Sequence, residues 1–237
     1  MKYKYSVVIP TFNEKENIEE LISRIEQLLS ADNYQIIVAD DDSPDNTWEI
    51  VGKLAEKNSR ISCIRRVGKE RGLSPSIIDG FNQAKGEIFA VIDGDLQHDE
   101  SFLPKMLKLG EDYDIVLGTR HADGGEIEGG WPLSRKLASS IATFAAKIIL
   151  GISVSDPMSG YFVMKRDIYE KIKDKMNPKG FKIFLEVLFW SKKYCSNLRV
   201  KESGINFRPR TAGKSKLGAK VIWEYFSALL QMRFSRQ

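Results

Sequence analysis

Short apolar runs alternate with longer amphipathic ones along most of this chain. Tyr5–Pro10 (YSVVIP) is a β-branched run closed by proline, which reads as a buried strand. Residues 14–29 then place apolar side chains at 18, 21, 22, 25, 28 and 29, the period of a helix. Strand signals recur at Gln35–Ala39, Ile61–Ile64, Glu87–Ile92 and Asp114–Thr119. Helical signals separate them at Thr47–Lys57, Ser74–Lys85 and Ser101–Gly110. Beyond residue 120 the pattern loosens. Residues 122–132 (ADGGEIEGGWP) hold four glycines and read as a mobile surface loop. A helix over Ser134–Leu150, a strand-like GYFVMK and a helix over Phe181–Tyr194 follow. Residues 216–234 carry a broad apolar stripe at 217, 221, 222, 225, 226, 229, 230 and 232.

Strands alternating with helices of this length predict an α/β fold, a mostly parallel sheet with helices on both faces. In such sheets ligands collect at the carboxyl ends of the strands. The polar clusters of this chain stand at those ends: Pro10–Glu14, Asp40–Asp45, Asp93–Gln97 and Gly118–His121. The first strand lacks a Gly-x-Gly-x-x-Gly sequel and the chain has no P-loop, which disfavours the usual dinucleotide fold and the P-loop enzymes. We read one domain over 1–207 and a C-terminal extension over 208–237, comprising a basic segment and an amphipathic helix.

Composition is that of an ordinary globular chain, 42% apolar and 29% charged in 237 residues. No signal peptide or membrane-spanning run is visible, and Cys63 and Cys195 lack metal spacing, so reduced cytosolic thiols are expected. Charge changes the picture more. Residues 208–237 hold seven Lys/Arg and one acid, Glu224, so that segment is +6 while the rest of a +4 chain is −2. An anionic partner is expected at that end. Flanked by Lys216, Lys220, Arg233 and Arg236, the stripe suits an interfacial helix at a membrane surface; a helix docked on the core or on a partner copy fits the same pattern.

The clusters carry the chemistry. Asp93-Gly94-Asp95 follows the apolar run IFAVI directly, where two carboxylates one residue apart repel unless a cation sits between them. With Gln97 and His98 just beyond, they suit a hard divalent ion that also takes phosphate oxygens and water. A turn capping the next helix is the bland alternative. After the second strand, Asp41 is the acid assigned to a ribose or base, while Asp42, Ser43 and Asp45 suit helix caps. After the first, Phe12 could pack on a nucleobase and Glu14 bond to base or ribose; Asn13 as cap and Glu14 in a first helical turn is the stronger reading of these residues alone, and the two are compatible. Arg120, Arg135, Lys136, Lys182 and the run RPRTAGKSK (208–216) form a basic set suited to phosphates.

Taken in order, VVIPTFNEKENI, IIVADDDSPDNTWEI, RVGKERGLSPSIIDGF, AVIDGDLQHDESFLPKML, IVLGTRHADGG, WPLSRKLAS, DPMSGYFVMKRD, NPKGFKIFLEVL and RTAGKSKLG resemble the dolichyl-phosphate mannose synthase group of inverting glycosyltransferases, over about residues 5–218. The resemblance implies a GT-A (Rossmann-like) fold and a nucleotide site lined by Pro10, Phe12, Glu14, Ala39 and Asp41. It implies Mg²⁺ or Mn²⁺ at Asp93, Asp95 and Gln97, with Gly94 against the nucleotide. It implies phosphate contacts from Arg120, Lys182, Arg210 and Lys216, and Arg135 on the acceptor loop. The implied reaction carries mannose from GDP-mannose to a polyprenyl or dolichyl phosphate, with UDP-glucose as the alternative donor. Implied partners are the membrane surface and either a separate membrane subunit or a second copy, at the cytoplasmic face, with no nucleic acid. Two departures bear on donor choice: Phe12 stands where the group usually has Tyr, and Gly94 where Ala is commoner. Asp156 is one further acid to follow, although Pro157, Ser159 and Gly160 suit a structural turn.

Two rival readings remain. The haloacid-dehalogenase-like phosphatases also use Asp-x-Asp after a strand, but want Thr or Val two residues beyond the second Asp, where this chain has Gln97. A non-catalytic sugar-nucleotide-binding subunit would have less use for an intact acid pair and Arg120.

Overall fold

The computed structural model describes residues 2–122, 125–127, 133–177, 180, 182–208 and 219–234; for 126–127, 133–139, 219–224 and 228 it describes the backbone alone. The chain opens with β1 (Tyr5–Thr11), α1 (Ile18–Leu28), β2 (Tyr34–Asp40), α2 (Thr47–Lys57), β3 (Ile61–Arg65), α3 (Leu73–Gln83) and β4 (Ile88–Val91). A 3-10 turn over Glu100–Phe102 leads into α4 (Leu103–Asp112) and β5 (Ile115–Thr119). Next come β6 (Glu126–Ile127), α5 (Leu133–Leu150), β7 (Phe162–Lys165), α6 (Arg166–Ile172) and α7 (Ile183–Tyr194). The last elements are β8 (Val200–Gly204), β9 (Asn206–Phe207) and α8 (Ala219–Phe234). Among the described residues no helix is long and apolar enough to cross a membrane.

One sheet has the order β3-β2-β1-β4-β7-β5-β8. Its pairs are parallel except at β7, which runs antiparallel to both β4 and β5. Alternation along the strands sends successive side chains to opposite faces. Val8, Ile37, Phe89, Val91, Phe162 and Met164 face α3, α6 and α7. Val7, Ile9, Ile36, Val38, Ala90 and Val163 face α1, α2 and α4. Full burial of each Val, Ile, Phe or Met side chain among these is worth about 1.5–3 kcal/mol, so these two layers are what fix the rim. Gly80 lets α3 lie close on β1: a Cβ there would overlap Val8 Cγ1.

The expected strands and long helices are present, and three assignments change. The glycine-rich stretch 122–132 contains β6, which pairs in parallel with β9. The first helix starts at Ile18, not Glu14, and Asn13 is no cap: it takes a left-handed conformation (φ 61°) in the preceding turn. The C-terminal stripe divides. Tyr225, Leu229 and Met232 of α8 are buried, while Phe226, Leu230 and Phe234 face outward. The short α6 and the polar edge strands β8 and β9 carried no sequence signal strong enough to assign.

Phe81 is the hub of the α3 layer. Its ring stacks on Phe89 at 5.1 Å and meets Phe162 and Tyr169 edge-on at 6.3 and 5.1 Å. Phe81→Ala is expected to lower unfolding free energy by about 3–5 kcal/mol in urea denaturation, with the loss concentrated in this layer.

Candidate active site

β4 ends at Val91, and two residues later the chain leaves the sheet with Asp93-Gly94-Asp95. The antiparallel register pairs Val91 with Phe162, which carries Gly160 opposite Asp93. A side chain at 160 would require the Asp93 carboxylate to move: a Cβ there would stand 2.6 Å from Asp93 Oδ2 and 2.9 Å from Oδ1. The bare backbone thus leaves the carboxylate its room at the rim, where it is 30% exposed. Asp95 is nearly buried and accepts the Gln97 backbone N–H at 3.2 Å. Leu96 between them has φ 58°, a strained conformation for a branched side chain, of the kind found at functional loops.

Gly94 brings the ends of β1 and β4 together. A Cβ on it would meet Thr11 Cγ2 at 3.0 Å and Glu14 Cγ at 3.4 Å. Pro10 and Ala39 lie in register beside each other on β1 and β2, so both belong to the same rim. The first loop is held by the second: Ser43 Oγ accepts the Asn13 N–H at 2.9 Å, Thr47 Oγ1 accepts that of Glu14 at 3.0 Å, and Asp45 accepts that of Lys15 at 3.1 Å. Asp45 also accepts the Thr47 N–H at 2.9 Å in a turn, but the N-cap of α2 is Asn46, in a left-handed conformation, so none of Asp42, Ser43 and Asp45 is the cap expected. Phe12 is covered by Arg71, whose guanidinium lies 4.8 Å from the ring centroid.

Asp41, expected to meet a nucleotide, is held here by the protein. It accepts from Arg66, from Ser76 Oγ at 2.9 Å and from the Gly72 N–H at 2.7 Å. Arg66, almost fully buried, also bonds Asp79 at 2.8 Å and the Glu70 carbonyl at 3.0 Å. This network ties the loops after β2 and β3 to α3, and sequence reading gave Arg66 no part in it. Lys182 is paired with Glu186 and donates to the Asn177 carbonyl at 2.9 Å. Its loop touches the same region, since the Gly180 carbonyl accepts the Ser74 N–H at 3.0 Å.

On the other side of Asp93 stands a second group. His98 Nδ1 lies 3.5 Å from Asp93 Oδ2, and the imidazole packs against Tyr161 and Phe207 at ring distances of 5.4 and 5.3 Å. Burial pushes its pKa down to about 4, against the pull of Asp95, so the ring is neutral at neutral pH. Among the described residues, the buried His98 Nδ1 and Tyr161 hydroxyl have no hydrogen-bond partner. Arg120, at the end of β5, lies over Phe207 at 5.2 Å and pairs with Asp156 at 2.8 Å. Burial lowers its pKa and Asp156 opposes the shift. Asp156 therefore anchors a buried cation as well as a turn.

Gln97 joins this rim to the C-terminal segment. Its carbonyl accepts the Arg208 N–H at 2.7 Å and its side-chain amide donates to the Arg208 carbonyl at 3.3 Å. The Arg208 guanidinium pairs with Asp99 and Glu100, both at 2.8 Å. Arg210 and Lys216, and the side chain of Arg135, lie outside the described residues.

The donor set suits a hard cation. Asp93 and Asp95 offer carboxylate oxygens, and among the described residues no group of three His, Cys, Asp or Glu side chains gathers to enclose a metal. Two carboxylates with the remaining positions left to phosphate and water is the usual Mg²⁺-type arrangement.

Residues 6–173 match the glycosyl transferase family 2 description. The dolichol-phosphate mannosyltransferase of Pyrococcus furiosus is 42% identical over 97% of this chain, which spans 63% of that relative's length. The proteins of the same name from Saccharomyces cerevisiae and Mycosarcoma maydis are 36% and 33% identical, with 88% and 78% of their lengths covered. Among solved structures, glucosyl-3-phosphoglycerate synthase from Mycobacterium tuberculosis, in complex with Mn²⁺, UDP and phosphoglyceric acid, superposes with a TM-score of 0.73 at 18% identity, over 99% of this chain and 80% of its own. That likeness concerns the fold, which is GT-A.

Gly160→Ala should displace the Asp93 carboxylate and weaken Mn²⁺ binding about 10–100-fold in a paramagnetic-resonance titration, with circular dichroism unchanged.

Proposed function

The chain belongs to glycosyl transferase family 2, and on that footing we propose that it transfers a hexose from a sugar nucleotide to the phosphate of a polyprenyl lipid, inverting the anomeric carbon. The donor in this reading is GDP-mannose and the acceptor a dolichyl-type phosphate. One observation carries it: the oxygen-only pair Asp93 and Asp95 at the rim, with Gly160 opposite Asp93, in a chain 33–42% identical to three dolichol-phosphate mannosyltransferases.

Asp93 and Asp95 would hold the divalent ion, Mg²⁺ or Mn²⁺, and Gln97 stands beside them. When bound, such an ion supplies positive charge against the negative charge that grows on a departing diphosphate. The M. tuberculosis synthase with Mn²⁺ and UDP supports a divalent ion in general. The loops bearing Pro10, Phe12, Glu14, Ala39 and Asp41 receive the nucleoside, and entry of a base requires Arg71 to leave or share the Phe12 face. Arg120, its guanidinium fixed by Asp156 and Phe207, orients phosphate oxygens at the opposite side of Asp93. Arg135, Lys182, Arg210 and Lys216 complete the positive side of the reading.

The acceptor in this reading asks for no strong base at the rim. A phosphate monoester is already anionic at neutral pH, so its oxygen needs no deprotonation before attack. His98, neutral and enclosed by rings, fits that requirement as a packing group. What the acceptor needs is alignment, and attack from the face opposite the diphosphate inverts the sugar carbon. A lipid acceptor also puts the chain at a membrane, in this reading as a peripheral protein of the cytoplasmic face.

Thermal shift with Mn²⁺ present should show a larger rise with GDP than with UDP; the reverse order would move the proposal to UDP-glucose, and no shift with either would remove the sugar-nucleotide reading. Asp95→Ala should lower kcat about 10²–10³-fold on GDP-mannose and polyprenyl phosphate, while its melting curve stays cooperative. Retained turnover would show that Asp95 is not a metal ligand.

A further inference from the structure

The loop that carries the acid pair is gripped from outside by the end of β9. Residues 97–99 and 206–208 form a short antiparallel ladder. The Gln97 carbonyl accepts the Arg208 N–H at 2.7 Å, the Asn206 carbonyl accepts the Asp99 N–H at 3.2 Å, and His98 faces Phe207 between them. β9 is itself tied down twice. It pairs with β6, and just before it the Ile205 N–H donates to the Thr119 carbonyl at the end of β5, at 3.1 Å.

Ion pairs lock this ladder. Arg208 Nη2 meets Asp99 and Nη1 meets Glu100, both at 2.8 Å. The two acidic side chains are only 10% and 7% exposed, and carboxylates so enclosed need a charged partner. Arg24 of α1 takes the other oxygen of Glu100 at 2.8 Å. Its second partner is Glu20, on its own helix, so Arg24 shares the acid with Arg208 without sharing the ladder.

What the grip sets is the Gln97 amide. Its Nε2 donates to the Arg208 carbonyl at 3.3 Å. A carbonyl only accepts, so the amide must present its NH₂ there, which leaves Oε1 on the other branch as an acceptor. An amide oxygen is a donor atom that a hard cation takes. The Gln97 N–H is meanwhile given to Asp95 Oδ1 at 3.2 Å. One residue thus connects Arg208 to an acid of the pair, through backbone and side chain together. Leu96, between Asp95 and Gln97, keeps a left-handed backbone (φ 58°). Such a conformation persists only where its surroundings over-determine it, and the two bonds from Gln97 to Arg208 supply that constraint.

We propose that Arg208 is a positioning residue for the divalent ion: it fixes Gln97 so that Oε1 serves a cation held by Asp93 and Asp95. The proposal rests on the divalent-ion reading of that acid pair. Simple electrostatics has the opposite sign. A guanidinium repels a nearby dication, and removing it also unpairs Asp99 and Glu100, which attract one. On charge alone, loss of Arg208 tightens the ion. Acting through Gln97, loss of Arg208 weakens it.

The test is titration of the full chain with Mn²⁺ alone, without nucleotide or acceptor, followed by paramagnetic resonance. Arg208→Gln should weaken binding about tenfold. Arg208→Lys keeps the charge but cannot span both acids, and should weaken it about threefold; it carries the test if the Gln variant does not fold. Arg24→Gln should lower the melting temperature without weakening Mn²⁺. Gln97→Ala should weaken Mn²⁺ about tenfold, and Arg208→Gln added to it should change nothing further. Unaltered or tighter binding in the Arg208 variants would overturn the proposal. So would an equal loss in Arg24→Gln, or losses at 97 and 208 that multiply. A wild-type chain that takes up no Mn²⁺ would remove the divalent-ion reading itself, and the proposal with it.

Discussion

The contact on which the site depends is between a carboxylate and a backbone. Asp93 and Gly160 face each other because β7 enters the sheet against the direction of its neighbours, beside β4. In an antiparallel pair the residues beyond the last hydrogen bond stay opposite one another. The acid is therefore placed by strand pairing, which the two apolar layers stabilise, and not by a flexible loop. The same pairing sets Tyr161 beside His98, so both sides of Asp93 derive from one register.

Around that contact the rim is assembled from loops that hold one another. Asp40 accepts from Thr11 Oγ1 and Ser43 Oγ, both at 2.7 Å, and so joins the ends of β1 and β2. Asp41 joins the ends of β2 and β3 to the start of α3 through Gly72 and Ser76. Asp156 joins the chain before β7 to Arg120 at the end of β5. Much of the acidic content at this rim is structural: Asp40, Asp41 and Asp156 each tie one stretch of chain to another.

Period decided what could be read from the chain. Strands β1, β2, β4 and β5 are nearly continuous apolar runs because both faces are covered, and such runs stand out. The clusters at their ends followed from the sheet rule, including Asp93 and Asp95. β8 (VKESG) did not stand out, because a polar edge strand has no apolar signature. Gly160 and Arg66 escaped for another reason: each matters through a partner far away in sequence, Asp93 in one case and Asp41 in the other. Asp156 was legible as an acid in a turn, but its pairing with Arg120 was not. The C-terminal stripe misled in width, since apolar residues on both faces of α8 look like one broad band when written in line.

Arg66 has a consequence for what this position tolerates. Its Nε, Nη1 and Nη2 each bond a different group, on Asp79, on Asp41 and Ser76, and on the Glu70 carbonyl. A lysine places three N–H bonds on one atom at the end of a flexible stem and cannot span that spread of acceptors. The guanidinium is thus a small planar template around which three separate stretches of chain are moulded, and its shape, more than its charge, closes the position to substitution.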